Sequence, residues 1–393
     1  MSNIIDYMKW RGDLTFAQDS FNEIDNLILS QLVYVELNNI VPGDEEPTIS
    51  LLDAAKLFFK QNNEQELLDH VSMTKNAILV FKEMAKSVRF KNVQLSRYVN
   101  DINEQEQSQF SAITIKLPDN STYIAFSGTD ATLVGWHEDF NMLYLKQTPG
   151  QEKSLAYLNA LGNLDTPLRL GGHSKGGNFA IYAGMYCEKS LRDQIIAIYN
   201  NDGPGFSKDV VASAAYQNLL PLITTIVPES SVVGRLFEHQ EDYVVIKSEN
   251  KGLKQHDAMS WEVLGSHFVY VEEVAPQSIL LDETMKKWIF QLTKEQREEI
   301  VDTVFSMLDD AKIYTVDDFY NSKWKKVQEL MKAKSKLSPE TQELFSKALR
   351  MLWKTGNQTV KKSVKQAVLE KVEEANSLFS TDKSKKSMKS SKK

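Results

Sequence analysis

The chain has 393 residues, of which 42% are hydrophobic and 25% are charged, and its formal net charge at pH 7 is -7. This length exceeds that of a single compact core, which predicts either one large domain with an appendage or two domains. The acidic balance argues against a general nucleic-acid binder, because such proteins usually carry clustered positive charge.

The sequence has no segment that predicts export or membrane insertion. The first ten residues lack a basic start followed by an apolar core, and no later stretch approaches about 18 uncharged apolar residues. Cys187 is the lone cysteine, so it can form neither an internal disulfide nor a metal site by itself. We therefore expect a cytoplasmic protein with no transmembrane segment and no cofactor.

The N-terminal third is predicted to pass from helices to strands. Ser20-Phe21-Asn22-Glu23 is typical of a capping box, and hydrophobic residues then recur at helical spacing as far as Val35. A second helix is predicted over residues 64–86. β-type patterns follow, and the predicted strands are residues 93–99, 113–117 and 123–126, with a turn at 118–121.

From residue 155 onward, strand and helix patterns alternate. Helices are predicted over residues 155–161, 178–187 and 210–219. Strands are predicted over residues 168–170, 195–199, 222–227 and 243–246, with a final strand over 267–274. Because the strands are apolar on both faces, the alternation predicts an α/β fold whose mostly parallel sheet is covered by helices.

The last hundred residues have a different pattern. Thr293-Lys294-Glu295-Gln296 is typical of another capping box, and apolar residues then recur on one helical face. We expect three regions: an α/β domain with an N-terminal helix at 1–292, an all-helical region at 293–380 and a disordered lysine-rich tail at 381–393. Because apolar helix faces must be buried, the helical region is expected to mediate self-association or contact with a protein partner.

The segment Gly172-His173-Ser174-Lys175-Gly176 matches the pattern Gly-x-Ser-x-Gly between a predicted strand and a predicted helix. In that context a serine occupies a sharp, strained turn, and the flanking glycines leave room for the backbone. The pattern predicts that Ser174 is a nucleophile. The alternative is a phosphate-binding turn, but the segment lacks the Gly-Lys-Ser/Thr ending of a P-loop.

A serine hydroxyl becomes reactive when a base removes its proton, and the base must follow on a later strand end. Of the six histidines, His256 follows the strand predicted at 243–246 by a loop, which is the position expected of the base. The orienting acid has two candidates. We favour Asp202, which ends the strand predicted at 195–199, and Glu229, which follows the next strand, stays as the alternative.

Acyl transfer also needs backbone donors for the oxyanion that develops during the reaction. Lys175 directly follows the predicted nucleophile, so its N–H is expected to supply one donor. Residues 126–130, with the sequence Phe-Ser-Gly-Thr-Asp, follow a predicted strand. We expect the second donor to come from Thr129 in this loop.

Together these motifs resemble the fungal-lipase-like, or class 3 lipase, branch of the α/β-hydrolases, and more narrowly a bacterial group of uncharacterised lipase-like proteins. The segments that carry the resemblance are residues 10–14, 21–25, 172–178, 201–206 and 255–257. The resemblance implies an α/β-hydrolase fold over the first 290 residues or so. It also implies hydrolysis of a small-molecule carboxylic ester or related acyl compound, with Ser174 and His256 in the family roles and Thr129 in the oxyanion loop.

The chain departs from the class 3 lipase pattern at two places. Ser127 stands where those lipases usually carry arginine, and their late triad aspartate has no clean match near Glu229. The second departure favours an alternative function, that of a catalytically inactive hydrolase-fold scaffold. Its helical region at 293–380 would then mediate the protein interactions.

Overall fold

The computed structural model describes residues 1–44, 46–63, 67, 75–130, 132–162, 164–310, 338, 339, 342 and 343. The chain divides into two compact units, Met1–Gln342 and Glu343–Lys393, and the described residues lie in the first unit except for Glu343. Most of the predicted helical region beyond residue 310, and the whole predicted tail, lie outside the described residues.

An eight-stranded sheet forms the centre of the described structure, and its strands lie side by side in chain order. They are β1 Ile49–Ser50, β2 Gln94–Asn103, β3 Ser108–Lys116, β4 Thr122–Phe126, β5 Leu168–His173, β6 Ile195–Asn201, β7 Ile223–Pro228 and β8 Tyr243–Ile246. Neighbouring strands from β1 to β4 are antiparallel, whereas those from β4 to β8 are parallel. This arrangement confirms the predicted α/β fold with a mostly parallel sheet.

Helices cover both faces of this sheet. They are α1 Ile4–Arg11, α2 Glu23–Leu32, α3 Leu51–Gln61, α4 Lys75–Lys86, α5 Leu133–Asn141, α6 Pro149–Asn159, α7 Lys175–Tyr186, α8 Lys189–Arg192, α9 Lys208–Val211, α10 Ala214–Gln217, α11 Pro276–Gln291 and α12 Lys294–Asp310. In β4, Tyr123 and Ala125 join a buried cluster with residues of α1 to α4, whereas Ile124 and Phe126 join a second cluster with residues of α6 and α7. Because successive strand residues point to opposite faces, one sheet separates two cores.

The start of α2 differs from the prediction. The helix is capped by Asn22 and not by Ser20: the Asn22 side chain accepts the N–H groups of Ile24 and Asp25, at 3.0 and 3.2 Å. Asp25 in turn accepts the Asn22 N–H at 3.0 Å, which completes a capping box two residues later than expected. The carbonyl group of Ser20 accepts a hydrogen bond from Arg89 instead.

Two later segments also differ from the prediction. The helix predicted over 210–219 is split into α9 and α10, because the Ser213 hydroxyl accepts the N–H of Tyr216 and begins a new helix. The strand predicted over 267–274 is reduced to β10 His267–Phe268, which pairs with β9 Val263–Leu264 outside the main sheet. After β10, Tyr270 meets the edge strand β8 in a single bridge with Ile246. The helix predicted over 64–86 is described from residue 75 onward as α4.

The helix α12 contacts the segment around α5. The rings of His137 and Phe305 stack with centroids 4.1 Å apart, and Arg297 donates to the carbonyl oxygen of Leu143 at 2.9 Å.

The Thr293 capping box is confirmed, since Thr293 and Gln296 exchange hydrogen bonds of 2.9 and 3.2 Å. The domain boundary at residue 292 stays a prediction.

A buried ion pair holds the N-terminal helices together. The Arg89 guanidinium donates to both carboxylate oxygens of Asp25, with Nε at 2.7 Å from Oδ1, and both side chains are fully buried. Arg89 also donates to the carbonyl oxygen of Asp19 at 2.8 Å and lies 4.1 Å from the ring centroid of Phe16. Because each charge is paired and hydrogen-bonded, the pair fixes α2 against the residues that follow α4.

Arg89→Met is expected to lower the free energy of unfolding by about 3–5 kcal/mol, because it leaves the Asp25 carboxylate buried without its partner. Chemical denaturation followed by circular dichroism measures the change. The matched control is Lys56→Met, which breaks an exposed 2.9 Å pair with Asp53 and should leave the unfolding midpoint close to that of the wild type. Equal losses in the two variants would contradict a stabilising role for the buried pair.

Candidate active site

Ser174 occupies a sharp turn between β5 and α7, as the Gly-x-Ser-x-Gly pattern predicts. Its backbone angles are φ 58° and ψ -136°, a conformation that non-glycine residues rarely adopt. A Cβ at Gly172 would overlap the backbone of Gly176, and a Cβ at Gly176 would overlap the carbonyl group of Phe126. The two glycines are therefore required by the close approach of β4, β5 and α7.

His256 and Asp202 lie together next to this turn. His256 Nδ1 is 2.6 Å from Asp202 Oδ2, and the two side chains are 11% and 1% exposed. Since a carboxylate oxygen only accepts, Nδ1 carries the proton of this hydrogen bond, and Nε2 of a neutral His256 is the free base. The Ser174 N–H donates to the carbonyl oxygen of Asn201 at 2.9 Å, which joins the serine turn to the residue before Asp202.

The second oxygen of Asp202 is also occupied. Oδ1 accepts the Ser231 hydroxyl at 2.5 Å and the Gly234 N–H at 3.2 Å. Glu229, the alternative acid, is tied to its neighbours through its backbone: its N–H donates to Ile246 and its carbonyl oxygen accepts from Ala275. Of the two candidates, the structure brings Asp202 to His256.

The two backbone groups expected to bind an oxyanion belong to segments that adjoin Ser174. Lys175 is the first residue of α7, so its N–H has no carbonyl partner within the helix. The loop at 126–130 packs directly on the serine, because a Cβ at Gly128 would lie 2.8 Å from the Ser174 Cβ. Thr129 follows in that loop, and its hydroxyl donates to Asp139 at 2.5 Å.

The side chain of Lys175 forms a buried ion pair that the sequence did not predict. Its Nζ is 2.9 Å from Glu138 Oε2 and 3.8 Å from Asp139 Oδ1, and the side chains of Lys175 and Glu138 are fully buried. Burial alone would lower the pKa of Lys175, but the two carboxylates raise it, so the amine stays charged. The position of Lys175 directly after Ser174 was the signal in the sequence that could have predicted this ion pair. A cation buried at such a turn requires an acidic partner.

Glu138 connects three segments around the site. Besides Lys175, it accepts the N–H of Gln109 on β3 at 3.0 Å and the N–H of Gly150 on α6 at 2.6 Å. Asp139 beside it is 37% exposed in its side chain, and partial burial raises its pKa to about 6 against the opposing effect of Lys175 and Thr129. The segment that follows the Thr129 loop is thus fixed to the serine turn by charge.

A cavity of about 360 Å³ lies near the start of α7, and its lining includes neither Ser174 nor Asp202 nor His256. It is lined by residues 142–146, 148, 205–210 and 236–238, together with Gln151, Asn178, Lys286 and Arg297. Segments 205–210 and 236–238 follow β6 and β7, so the cavity lies at the carboxyl edge of the sheet. Ligands of open α/β sheets commonly bind at this edge.

No group of three or more His, Cys, Asp and Glu side chains in the described ranges is arranged to hold a metal ion. Within the same ranges, no helix has the length and apolar character needed to cross a membrane.

Comparison with known proteins gives one family match and distant structural similarities. A family model described as Mbeg1-like matches residues 84–306. No curated protein sequence is significantly similar to the chain. Lipase II from Rhizopus niveus is 15% identical with a TM-score of 0.29, and the match covers 39% of this chain and 67% of that one. A crystal structure titled M37 lipase is 15% identical with a TM-score of 0.30, and the match covers 55% and 70% of the two chains.

Glu138→Gln is expected to lower the free energy of unfolding by up to about 3–5 kcal/mol, because Lys175 then loses its fully buried partner at 2.9 Å and keeps only the more distant, partly exposed Asp139 at 3.8 Å. Glu138→Gln/Lys175→Met should lose less than the sum of the two single variants, with a coupling of about 0.5–3 kcal/mol. Chemical denaturation of the four proteins gives the coupling. The exposed pair Lys189 and Asp193 serves as the control cycle, and additive losses at Glu138 and Lys175 would contradict the ion pair.

Proposed function

The chain belongs to the Mbeg1-like family, and from this premise we propose that it is a serine hydrolase that cleaves carboxylic esters or related acyl bonds. The observation that carries the proposal is the 2.6 Å hydrogen bond between His256 and Asp202 at the strained turn of Ser174. In the proposal Ser174 is the nucleophile, His256 the base and Asp202 the orienting acid.

The proposed reaction has two halves. Ser174 Oγ attacks the substrate carbonyl carbon while its proton passes to His256 Nε2, and the carbonyl oxygen becomes an oxyanion. His256 then returns the proton to the leaving alcohol as the C–O bond breaks, which leaves an acyl group on Ser174. Water repeats these steps with His256 as its base, which releases the carboxylic acid and restores the serine.

Asp202 supports this chemistry through geometry and charge. Its hydrogen bond to Nδ1 selects the tautomer in which Nε2 is free to accept a proton. When Nε2 takes up the serine proton, the buried carboxylate also stabilises the imidazolium that forms. The donors from Ser231 and Gly234 hold the carboxylate plane in one orientation, so His256 has a fixed direction as well.

The oxyanion is proposed to bind the backbone N–H groups of Thr129 and Lys175. Preorganised donors of this kind typically contribute about 2.7–4 kcal/mol each to lowering the barrier. The buried charge of Lys175 adds positive potential next to the site, although Glu138 neutralises most of it. A small-molecule ester or acyl compound is the proposed substrate.

Two further expectations from the sequence are also proposals. A cytoplasmic location agrees with the single cysteine, which is buried and has no disulfide partner. Self-association or binding of a protein partner through residues 293–380 is testable by sedimentation of the full chain.

Ser174→Ala is expected to abolish covalent labelling by a fluorophosphonate probe and hydrolysis of p-nitrophenyl acetate, because it removes the hydroxyl proposed to be activated by His256. Mass spectrometry of the labelled protein locates the adduct. Ser111→Ala is the control, since Ser111 is a buried serine whose hydroxyl bonds Asn100 on β2 and lies outside the proposed machinery. Wild-type protein that resists the probe would favour the inactive scaffold, and labelling that survives in Ser174→Ala would move the nucleophile elsewhere.

Asp202→Asn is expected to lower kcat by about 10⁴-fold, because the amide favours the wrong tautomer of His256. Glu229→Gln is the matched control and should keep kcat within about threefold of wild type, because its contacts to Ile246 and Ala275 use the backbone. Steady-state hydrolysis of p-nitrophenyl acetate measures both. Small and equal effects would remove Asp202 from the mechanism.

A further inference from the structure

Tyr34 and His173 lie outside the proposed triad. Together they contact the loop at 126–130, the serine turn and the segment that carries His256. The Tyr34 hydroxyl accepts the N–H of Gly128 at 2.9 Å and donates to the carbonyl oxygen of His173 at 3.1 Å. Gly128 directly precedes Thr129, and His173 directly precedes Ser174. The Tyr34 hydroxyl therefore joins the loop at 126–130 to the serine turn.

The imidazole of His173 connects the same turn to the third segment. His173 Nε2 is 2.8 Å from the carbonyl oxygen of His256, and the two rings lie with centroids 4.6 Å apart. Because a carbonyl oxygen only accepts, Nε2 carries the proton, and Nδ1 faces the Tyr34 oxygen at 3.3 Å. Burial holds the pKa of His173 well below 6.5, so the ring stays neutral and keeps this tautomer.

Tyr34 packs so closely against the loop at 126–130 that no side chain fits at Gly128. A Cβ at Gly128 would overlap the Tyr34 hydroxyl and lie 2.5 Å from the carbonyl oxygen of His173. Burial also raises the pKa of Tyr34, so the hydroxyl keeps the proton that it donates. The Tyr34 hydroxyl thus accepts one hydrogen bond, from the Gly128 N–H, and donates one, to the His173 carbonyl oxygen. Both backbone groups belong to residues adjacent to proposed functional residues.

The helix before Tyr34 is itself fixed to the serine turn. On α2, Asn26 donates to the Asn201 side chain at 2.8 Å, and Asn201 donates to the carbonyl oxygen of Gly172 at 3.1 Å. Ser30, one turn further along, accepts from Asn201 at 3.2 Å. These buried amides anchor α2 beneath the turn, so the position of Tyr34 is set by bonds other than its own.

We propose that Tyr34 and His173 are positioning residues that hold the Thr129 N–H and the His256 imidazole in place relative to Ser174. The inference rests on the proposed function, since it assigns these bonds to the same reaction. Neither side chain takes part in proton transfer in this scheme. Loss of an oxyanion donor typically costs about 10²–10³-fold in kcat, and a misplaced donor costs a part of that.

Tyr34→Phe removes the hydroxyl and keeps the ring. We expect kcat per active site to fall about 10- to 100-fold, with KM within about threefold, because the misplaced donor acts mainly on the transition state. Active sites are counted by titration with a fluorophosphonate, and turnover is measured with p-nitrophenyl acetate. Counting sites separates a slower site from a smaller folded fraction.

Tyr157→Phe is the matched control. Tyr157 is also partly buried, and its hydroxyl has two partners, the Arg97 carbonyl oxygen at 2.8 Å and the Thr114 hydroxyl at 2.8 Å, on β2 and β3. It should keep kcat per site within about threefold of wild type. Equal kcat per site in the two variants, or a Tyr34→Phe loss explained entirely by fewer titratable sites, would overturn the proposal.

Two variants of His173 test the second bond. His173→Gln keeps an N–H that reaches the His256 carbonyl oxygen, whereas His173→Leu does not, so kcat per site should be at least about tenfold higher in the first. Equal losses in both would overturn the role of His173. A wild-type protein that neither reacts with the fluorophosphonate nor hydrolyses p-nitrophenyl acetate would instead refute the proposed function. The positioning role of Tyr34 and His173 would then fall with it.

Discussion

The backbone of Ser174 is the constraint on which the arrangement of the site depends. Its φ of 58° places the residue in a region that costs on the order of 1–3 kcal/mol, and a residue stays there only where its neighbours enforce it. The neighbours do so: the Ser174 N–H bonds Asn201, and its carbonyl oxygen accepts the N–H of Gly177 at 2.9 Å. The close packing of Gly172 and Gly176 leaves no space for another path of the chain.

The groups around this turn are held by a buried ion pair at one end and by hydrogen bonds to a buried carboxylate at the other. Lys175 and Glu138 form a buried pair that also binds β3 and α6, so the segment after the Thr129 loop is fixed electrostatically. Asp202 and His256 are fixed by donors to both carboxylate oxygens. A buried ion pair and a buried carboxylate tolerate little displacement, because an unpaired charge in this environment is costly.

The N-terminal helices contribute to the site as well as to the core. The pair Asp25 and Arg89 fixes α2, and α2 carries Asn26 to the underside of the turn. Tyr34, two residues beyond the end of α2, reaches the oxyanion loop from the same side. Segment 10–14, which carries part of the family resemblance, precedes α2, and segment 21–25, which carries another part, contains the N-cap and first turn of this helix.

The sequence by itself determined strands β2 to β8, the strand-turn-helix around Ser174 and the position of His256 after β8, because these follow from patterns between near neighbours in the chain. It missed the two-residue strand β1 and predicted a sheet strand at 267–274 that lies outside the main sheet. Tertiary structure decided which carboxylate meets His256, since Asp202 is 54 residues away and Glu229 is as well placed in sequence. It also decided that Glu138 pairs with Lys175 and that Tyr34 meets His173 across 139 residues. Such partners are set by distance and burial in the folded protein. The pattern of neighbouring residues in the sequence predicts neither the distance nor the burial.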